Sequence, residues 1–496
     1  MDRSIASLCK ELLQFLSSTK GDLANVTGPP SMLAPQSVVE IGRSWAQRPD
    51  VFAAPAFEAD AGRRCLLVLR MFLVALRTQM YIGGTPATSI KKPLNSFLGE
   101  VFLAEWTDEK AHGAGAGPAA SSSSSSSSLS SSAAAAASQS SPRGSLSSQE
   151  MEGQETPAIG RSTPCSSIST ATSTCSCACG TDRITTRLVS EQVSHHPPIT
   201  AVHISDDIHG VRSDGYARVE MTFSGNVHVR QMGHAIVRVD AYDEDYLLPL
   251  PDIKVRGFLS GRLYPEVTDT YHIVGSSGYM VEVKFSGEGM TWGGTRNAFV
   301  ATVYGPSKSD TITTKSKLKR GHKGSNDDRD ALYIVDGVWS KAWTVRDART
   351  GEVIETYDLD APENAPVPIV LPDTAAQDPW ESRRAWAGVI DGLVKGDMRQ
   401  TVAEKSKIEQ AQRRMRAQEA ASGENWTPLF FKTEGHNGSE TFHRLVASLA
   451  GAAGRNTHQL QLHDDRTKGV WRVDVDKIKN IQRPLRGGLT PLGEQT

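Results

Sequence analysis

The sequence predicts an α+β protein built on a curled antiparallel sheet or barrel, with helices before and after it. Three observations carry this. Between Thr200 and Tyr304, short segments alternate apolar and polar residues in steps of two, and Gly, Asp or Ser separates them. Apolar residues at steps of three and four precede that region, and a helical pattern returns after it. The stretch between the first helical part and the strands has a composition that cannot form a core. Many short strands with turn signals between them favour a curled antiparallel sheet over a βαβ arrangement.

The elements follow in chain order. Ile5, Leu8, Leu12, Phe15 and Leu16 make one apolar helical stripe, opposite Ser4, Ser7, Lys10, Glu11, Gln14 and Ser18. Gly21 ends this helix and Pro29-Pro30 bars its resumption. It reads as a core-docked helix, or alternatively as a lid or membrane-touching segment whose polar face lacks a Lys/Arg excess. Cys65 to Leu76 is the most apolar stretch, but it carries Arg70 and falls short of the roughly 20 residues of a bilayer span. It predicts a buried helix in a soluble protein. No secretory signal is visible at the N-terminus.

From Gly113 to Asp182 the chain is Ser- and Ala-rich, with an unbroken serine run from Ser121 to Ser128 and no aromatic between Trp106 and Tyr216. Such a tract buries too little apolar surface to offset its ordering entropy, so residues 113–182 read as a disordered insertion. Cys165, Cys175, Cys177 and Cys179 fall inside it. Their C-x-C-x-C spacing is not the usual zinc pairing, so no metal is expected, and the six cysteines fit a reducing compartment.

The predicted strands are Ala217-Val219-Met221-Phe223, Val227-Val229, Ile236-Val237-Val239, Ile253-Val255, Met280-Val281-Val283-Phe285, Phe299-Ala301-Val303 and Leu332 to Trp339. Residues 306–330, with Lys315, Lys317, Lys319, Arg320 and Lys323, read as a flexible basic loop between two of them. From Asp378 to Gln418 the pattern is helical, with Asp378 as cap and Pro379 in the first turn. Net charge is −2, from 54 Lys+Arg against 56 Asp+Glu, which excludes nucleic-acid binding through global basicity.

Three segments have residues suited to chemistry. Lys91-Lys92-Pro93-Leu94-Asn95-Ser96-Phe97-Leu98-Gly99-Glu100 sets two cations before a proline that bars Lys92 from the α region, which presents a lysine and backbone amides outward. Glu191-Gln192-Val193-Ser194-His195-His196-Pro197-Pro198 pairs two imidazoles ahead of two prolines, so they sit at a rigid corner. Anion binding is the best chemical use of that pair. A zinc site would need a third ligand. Nucleophilic catalysis by Ser194 is disfavoured because neighbours on an extended chain point to opposite faces, and no G-x-S-x-G elbow occurs. Lys405, Glu409 and Arg413 share one helix face at i, i+4 and i+8; alone they would be a surface ladder worth a few tenths of a kcal/mol per pair.

The Glu191–Pro198 octapeptide resembles the fingerprint of the oxysterol-binding protein family. The Lys91–Glu100 segment and the Lys405/Glu409/Arg413 helix fall where its other signature elements lie. Gly21-Asp22-Leu23 with Pro29-Pro30, and Trp45 with Pro49, resemble the start of the short, stand-alone fungal members. The resemblance runs from Gly21 to Phe431, interrupted by the insertion. It implies one lipid-transfer domain over 1–496: an incomplete antiparallel β-barrel around a lipid tunnel, an N-terminal lid over residues 1–30 and C-terminal helices. Implied ligands are a sterol and phosphatidylinositol 4-phosphate, held alternately in one tunnel and exchanged between membranes.

By carry-over, His195 and His196 hold the 4-phosphate with Lys92, Leu94 and Asn95. Lys405 and Arg413 add positive charge, and Glu409 matches the family's acidic position. For sterol, Trp45, Gln79 and Gln231 match. Ser96 stands where the family commonly has proline, a change expected to loosen the turn. Ala217, Glu220 and Met80 replace the asparagine, lysine and tyrosine of the fungal members. The expected protein is a monomer without cofactor or enzymatic activity. It is cytoplasmic and peripheral to endoplasmic reticulum, Golgi or plasma membranes. A lipid sensor without net transport and an esterase using Ser194 are the alternatives. Phe430-Phe431 lacks the preceding acidic residues of a receptor-binding tract and reads as core.

Overall fold

The computed structural model describes residues 32–82, 84–109, 183–257, 262–287, 294–306, 330–434, 440–453 and 467–495. The expected N-terminal helix, the 113–182 insertion and nearly all of the 306–330 loop lie outside these residues. The described residues belong to one unit, formed from Met1–Ala111 and Gly180–Thr496; the other unit, His112–Cys179, lies outside them.

The strands are β1 (Leu33–Ser37), β2 (Lys92–Leu94), β3 (Val101–Asp108), β4 (Ile184–His195), β5 (Pro198–Asp206), β6 (Val211–Phe223), β7 (Val227–Val239), β8 (Glu244–Leu248), β9 (Ile253–Arg256), β10 (Tyr264–Val267), β11 (Asp269–Gly275), β12 (Met280–Ser286), β13 (Ala298–Tyr304), β14 (Ala331–Val338), β15 (Ala342–Asp347), β16 (Val353–Asp358), β17 (Ile369–Val370), β18 (Phe431–Thr433) and β19 (Trp471–Val473). Fifteen of them form one sheet. Its path runs β16 through β11, then β8 back to β3, and ends at β17, with β9 and β10 beside β7. Neighbours along it pair antiparallel. No pairing between β16 and β17 closes it among the described residues, so the architecture is an incomplete barrel.

The segments expected at Val227-Val229 and Ile236-Val239 are one strand, β7. They read as two because β7 changes partner along its length, pairing with β9 at Val227–Val229 and with β8 at Ala235–Val239. Gly233 makes the continuity possible. It sits at φ +134°, and a Cβ there would lie 2.0 Å from the Tyr216 carbonyl oxygen.

Helix α1 (Ala61–Met80) contains the apolar stretch and is buried as expected. Asp60 caps it by accepting from the Arg63 amide at 2.8 Å. Its cations leave the apolar face through ion pairs: Arg64 donates to Glu244 at 2.7 and 3.0 Å, Arg70 pairs with Glu355, and Arg77 with Asp360 at 2.6 Å. The helix packs against β12 and β13, inside the largest apolar cluster among the described residues. No helix among the described residues is long and apolar enough to cross a membrane.

The helix expected from Asp378 to Gln418 is broken. A short turn (Ser382–Ala385) leads to α2 (Ala387–Lys395), and α3 (Met398–Ser422) follows. Gly396, at φ +71°, ends α2 in the left-handed region, and the Asp397 carboxylate caps α3 by accepting from Arg399 and Gln400. Asp378 is not a helix cap. Its two oxygens instead accept from the amides of Trp380 and Leu485, tying this turn to the C-terminal segment. A further helix, α4 (Glu440–Ala453), and the β18–β19 pair join α2 and α3 around the second apolar cluster. Phe430 and Phe431 are buried there, as expected.

Candidate functional site

The three signature segments meet at one cavity of about 710 Å³. β2 contributes Lys92 and Pro93, the following loop Asn95 and Phe97, the end of β4 Ser194 and His195, the corner His196, and α3 Lys405, Glu409 and Arg413. Leu94 is fully buried and does not line it; its side chain belongs to the apolar cluster beneath. On α3, Ala411 and Met415 are buried outside the cavity lining, whereas Ile408 joins Lys405, Glu409 and Arg413 in it.

β4 and β5 form a hairpin that pairs His195 with Pro198, so the two imidazoles stand at its tip. Their rings are 4.8 Å apart at 70°, edge to face. His195 Nδ1 lies 3.0 Å from the Ser96 carbonyl, which fixes Nδ1–H as donor and leaves Nε2 for another partner. Desolvation lowers the His195 pKa from its ordinary value, with His196 and Arg416 adding to this; the Ser96 carbonyl and Glu409 oppose it. Lys405 is buried and paired with Glu409.

Ser96 does not loosen its turn. It is fully buried, its hydroxyl meets the Ser37 hydroxyl at 2.9 Å and accepts from the Val39 amide at 3.2 Å. A proline ring has no hydroxyl to make these bonds, so serine ties the loop to the segment after β1 by another route.

The octapeptide divides into two tasks. Glu191 is buried away from the cavity, where its carboxylate accepts from the Leu429 and Phe430 amides at 2.8 and 2.9 Å and faces Arg486 at 3.4 Å. Burial pushes its pKa up to about 7 against those donors. Glu100 is in a similar position: it accepts from the Phe97 amide and the Trp386 indole, and desolvation raises it to about 7. Gln192 donates to the Ser194 carbonyl and accepts from Thr200. A bulge between Gln192 and Ser194 interrupts the register. Simple alternation therefore fails here, and Ser194 and His195 both line the cavity. The Ser194 hydroxyl has no hydrogen-bond partner, so it makes no nucleophile–base pair with either imidazole. Among the described residues, no group of three His, Cys, Asp or Glu is placed to hold a metal ion.

Gln79 and Gln231 also meet, Nε2 to Oε1 at 3.5 Å, apart from the cavity lining. Gln231 is held by the Pro251 carbonyl at 2.6 Å and by Asp252 through its amide. Trp45 packs on Phe72 of α1 with ring centroids 6.2 Å apart. Sequence reasoning missed several lining residues: Gln412, Arg416, Trp426 and Lys468. For Gln412 and Arg416 a signal existed, since they continue the Lys405–Glu409–Arg413 face by further steps of three and four.

The family described as oxysterol-binding protein matches residues 11–386. The chain belongs to the oxysterol-binding protein family. Among relatives, "Probable transporter efuK" of Hormonema carpetanum is 37% identical over 97% of this chain, which spans 54% of that longer protein. Protein kes1 of Schizosaccharomyces pombe is 29% identical over 87% of this chain and 89% of its own length. The fold matches the Osh1 ORD domain solved in complex with cholesterol, at TM-score 0.53 and 17% identity, covering 94% of this chain and 90% of that one. It also matches the Osh3 ORD of Saccharomyces cerevisiae solved in complex with PI(4)P, at TM-score 0.53 and 15% identity, covering 87% and 88%.

Proposed function

We propose that this member of the oxysterol-binding protein family is a lipid-transfer protein. It takes phosphatidylinositol 4-phosphate with the headgroup in the cavity, and alternately a sterol, and exchanges them between membranes. The observation that carries this reading is the convergence of Lys92, Asn95, His195, His196, Lys405 and Arg413, from three distant parts of the chain, on one cavity. A phosphomonoester matches that donor set: imidazolium, ammonium and guanidinium donate to phosphate oxygens, and the Asn95 amide suits an inositol hydroxyl. Glu409 keeps Lys405 oriented and balances charge.

The sterol half draws support from the Gln79–Gln231 pair, which offers amide groups to a hydroxyl, and from the apolar packing of Trp45 on Phe72. Relatives of this fold were solved with cholesterol and with PI(4)P. The lid expected over residues 1–30, and the single-domain organisation, belong to the same reading. Moving a lipid through water exposes chain carbon at about 0.8 kcal/mol per CH2, and an apolar interior removes most of that barrier. If one interior holds either lipid, a phosphoinositide gradient drives the other lipid the opposite way.

Exchange between two vesicle populations tests the reading. With protein far below the lipid concentration, sterol should equilibrate, and faster when the acceptor vesicles carry phosphatidylinositol 4-phosphate. Stoichiometric binding without equilibration would assign the chain to lipid sensing instead.

A further inference from the structure

The cavity has unsatisfied chemistry beyond the residues assigned above. Arg416 lies 3 residues past Arg413 on α3 and lines the same wall. About 4.5 Å of helix rise separates them, and both side chains line the one cavity. Its Nη2 donates to Glu419 at 2.6 Å, while Nε and Nη1 are buried without a partner. Two neighbours in the lining share this condition: the Trp426 indole N–H and the Ser194 hydroxyl, the latter on a residue only 4% exposed. The Gln412 carbonyl oxygen, also in the lining, lacks a partner as well. Buried donors without acceptors are costly, and native proteins rarely gather several around one cavity unless something else satisfies them. Arg416 also acts electrostatically on His195, so the two are near neighbours.

We infer that Arg416, with Trp426 and Ser194 beside it, forms a second phosphate subsite adjoining the one at His195 and His196. The guanidinium leaves Glu419 and takes a phosphate oxygen, while the indole and hydroxyl donors complete the cradle and Gln412 accepts from a ring hydroxyl. Glu419 thereby acts as a competitor that holds Arg416 when no phosphate does. This rests on the headgroup reading above and specifies which headgroups the cavity takes. The second phosphate has two possible sources: the phosphodiester that joins inositol to glycerol, or a second phosphomonoester on the ring.

The test measures binding of the full chain to phosphatidylcholine vesicles containing either phosphatidylinositol 4-phosphate or phosphatidylinositol 4,5-bisphosphate. Arg416→Gln should weaken binding about 10- to 100-fold, the worth of charged hydrogen bonds. Weakening on both lipids assigns the subsite to the phosphodiester; weakening on the bisphosphate alone assigns it to a second ring phosphate. Glu419→Gln frees the guanidinium and should tighten binding several-fold. A merely structural Arg416–Glu419 pair predicts instead that Glu419→Gln and Arg416→Gln weaken binding alike, and that result overturns the inference. So does an Arg416→Gln variant that binds both lipids like the wild type while His195→Ala loses them, which leaves the headgroup reading intact. If the wild type and His195→Ala bind phosphoinositide vesicles no better than plain ones, the headgroup reading fails and the subsite falls with it. Denaturant unfolding of each variant, with Arg416→Lys as the conservative partner, separates lost contacts from lost folding.

Discussion

Glu191 lies on the same strand as His195, the last residue of β4, yet it faces away from the cavity, and its removal should damage the fold before the ligand. In Glu191→Ala the Leu429 and Phe430 amides lose their acceptors, each costing about 1–3 kcal/mol when left buried. Arg486, whose guanidinium lies 4.9 and 5.1 Å from the Trp380 and Trp426 rings, loses its facing carboxylate. Removing one side of a buried pair costs about 3–5 kcal/mol. Relief of carboxylate desolvation offsets part of this, so a net loss of about 3–5 kcal/mol is expected, a large share of a typical total of about 5–15 kcal/mol. The sign of the pH dependence follows from the raised pKa. A carboxyl held at about 7 in the fold, against an ordinary 4.5, contributes stability that is present below 4.5 and lost as pH rises through 7. Wild-type stability should therefore decline between those values, and Glu191→Gln should flatten part of the decline. Denaturant unfolding gives the magnitude, and hydrogen exchange at Leu429 and Phe430 gives the location. Wild-type stability in Glu191→Ala, with unchanged exchange at both amides, would refute the assignment.

Three further outcomes are expected. Ser96→Ala removes a buried hydroxyl that bonds Ser37 and the Val39 amide, and should cost about 1–3 kcal/mol in denaturant unfolding. Gly396→Ala places a Cβ at φ +71° and should cost about 1 kcal/mol by the same measurement, since the left-handed turn between α2 and α3 needs glycine. Phosphoinositide affinity should fall as pH rises: His195 titrates below its ordinary value in the free chain, and a phosphate beside it favours the imidazolium, so binding takes up a proton. Titration calorimetry across about pH 6 to 8 checks this, and the ratio to His195→Ala removes the ligand's own ionisation.

The fold class was legible because strands such as β6, β12 and β13 alternate in steps of two and α1 carries the apolar run Cys65–Leu76, broken only by Arg70. The partner change along β7 was not, since pairing with β8 and β9 is decided by residues distant in sequence. The break between α2 and α3 was readable from Gly396-Asp397, a helix stop followed by a cap, but the continuing helical pattern masked it. The site was legible where residue types announce anion chemistry, at Lys92, His195, His196, Lys405 and Arg413. Glu191 and Ser96 were not, because their tasks depend on Leu429, Phe430, Ser37 and Val39, which only folding brings near. Leu94 shows the converse: it lies inside a signature segment, yet its side chain belongs to the core.

In the proposed function, the cavity holds the phosphoinositide headgroup, and the sterol, taken alternately, rests on other residues of the same interior. The most direct measurement is extraction of labelled phosphatidylinositol 4-phosphate from vesicles by the wild type and by the His195→Ala/His196→Ala variant, with sterol binding measured on both. The wild type should extract the phosphoinositide, and the double variant should lose that ability while it keeps sterol binding and its unfolding midpoint. Equal loss of both ligands in a folded variant, or undiminished phosphoinositide extraction without the two imidazoles, would contradict it.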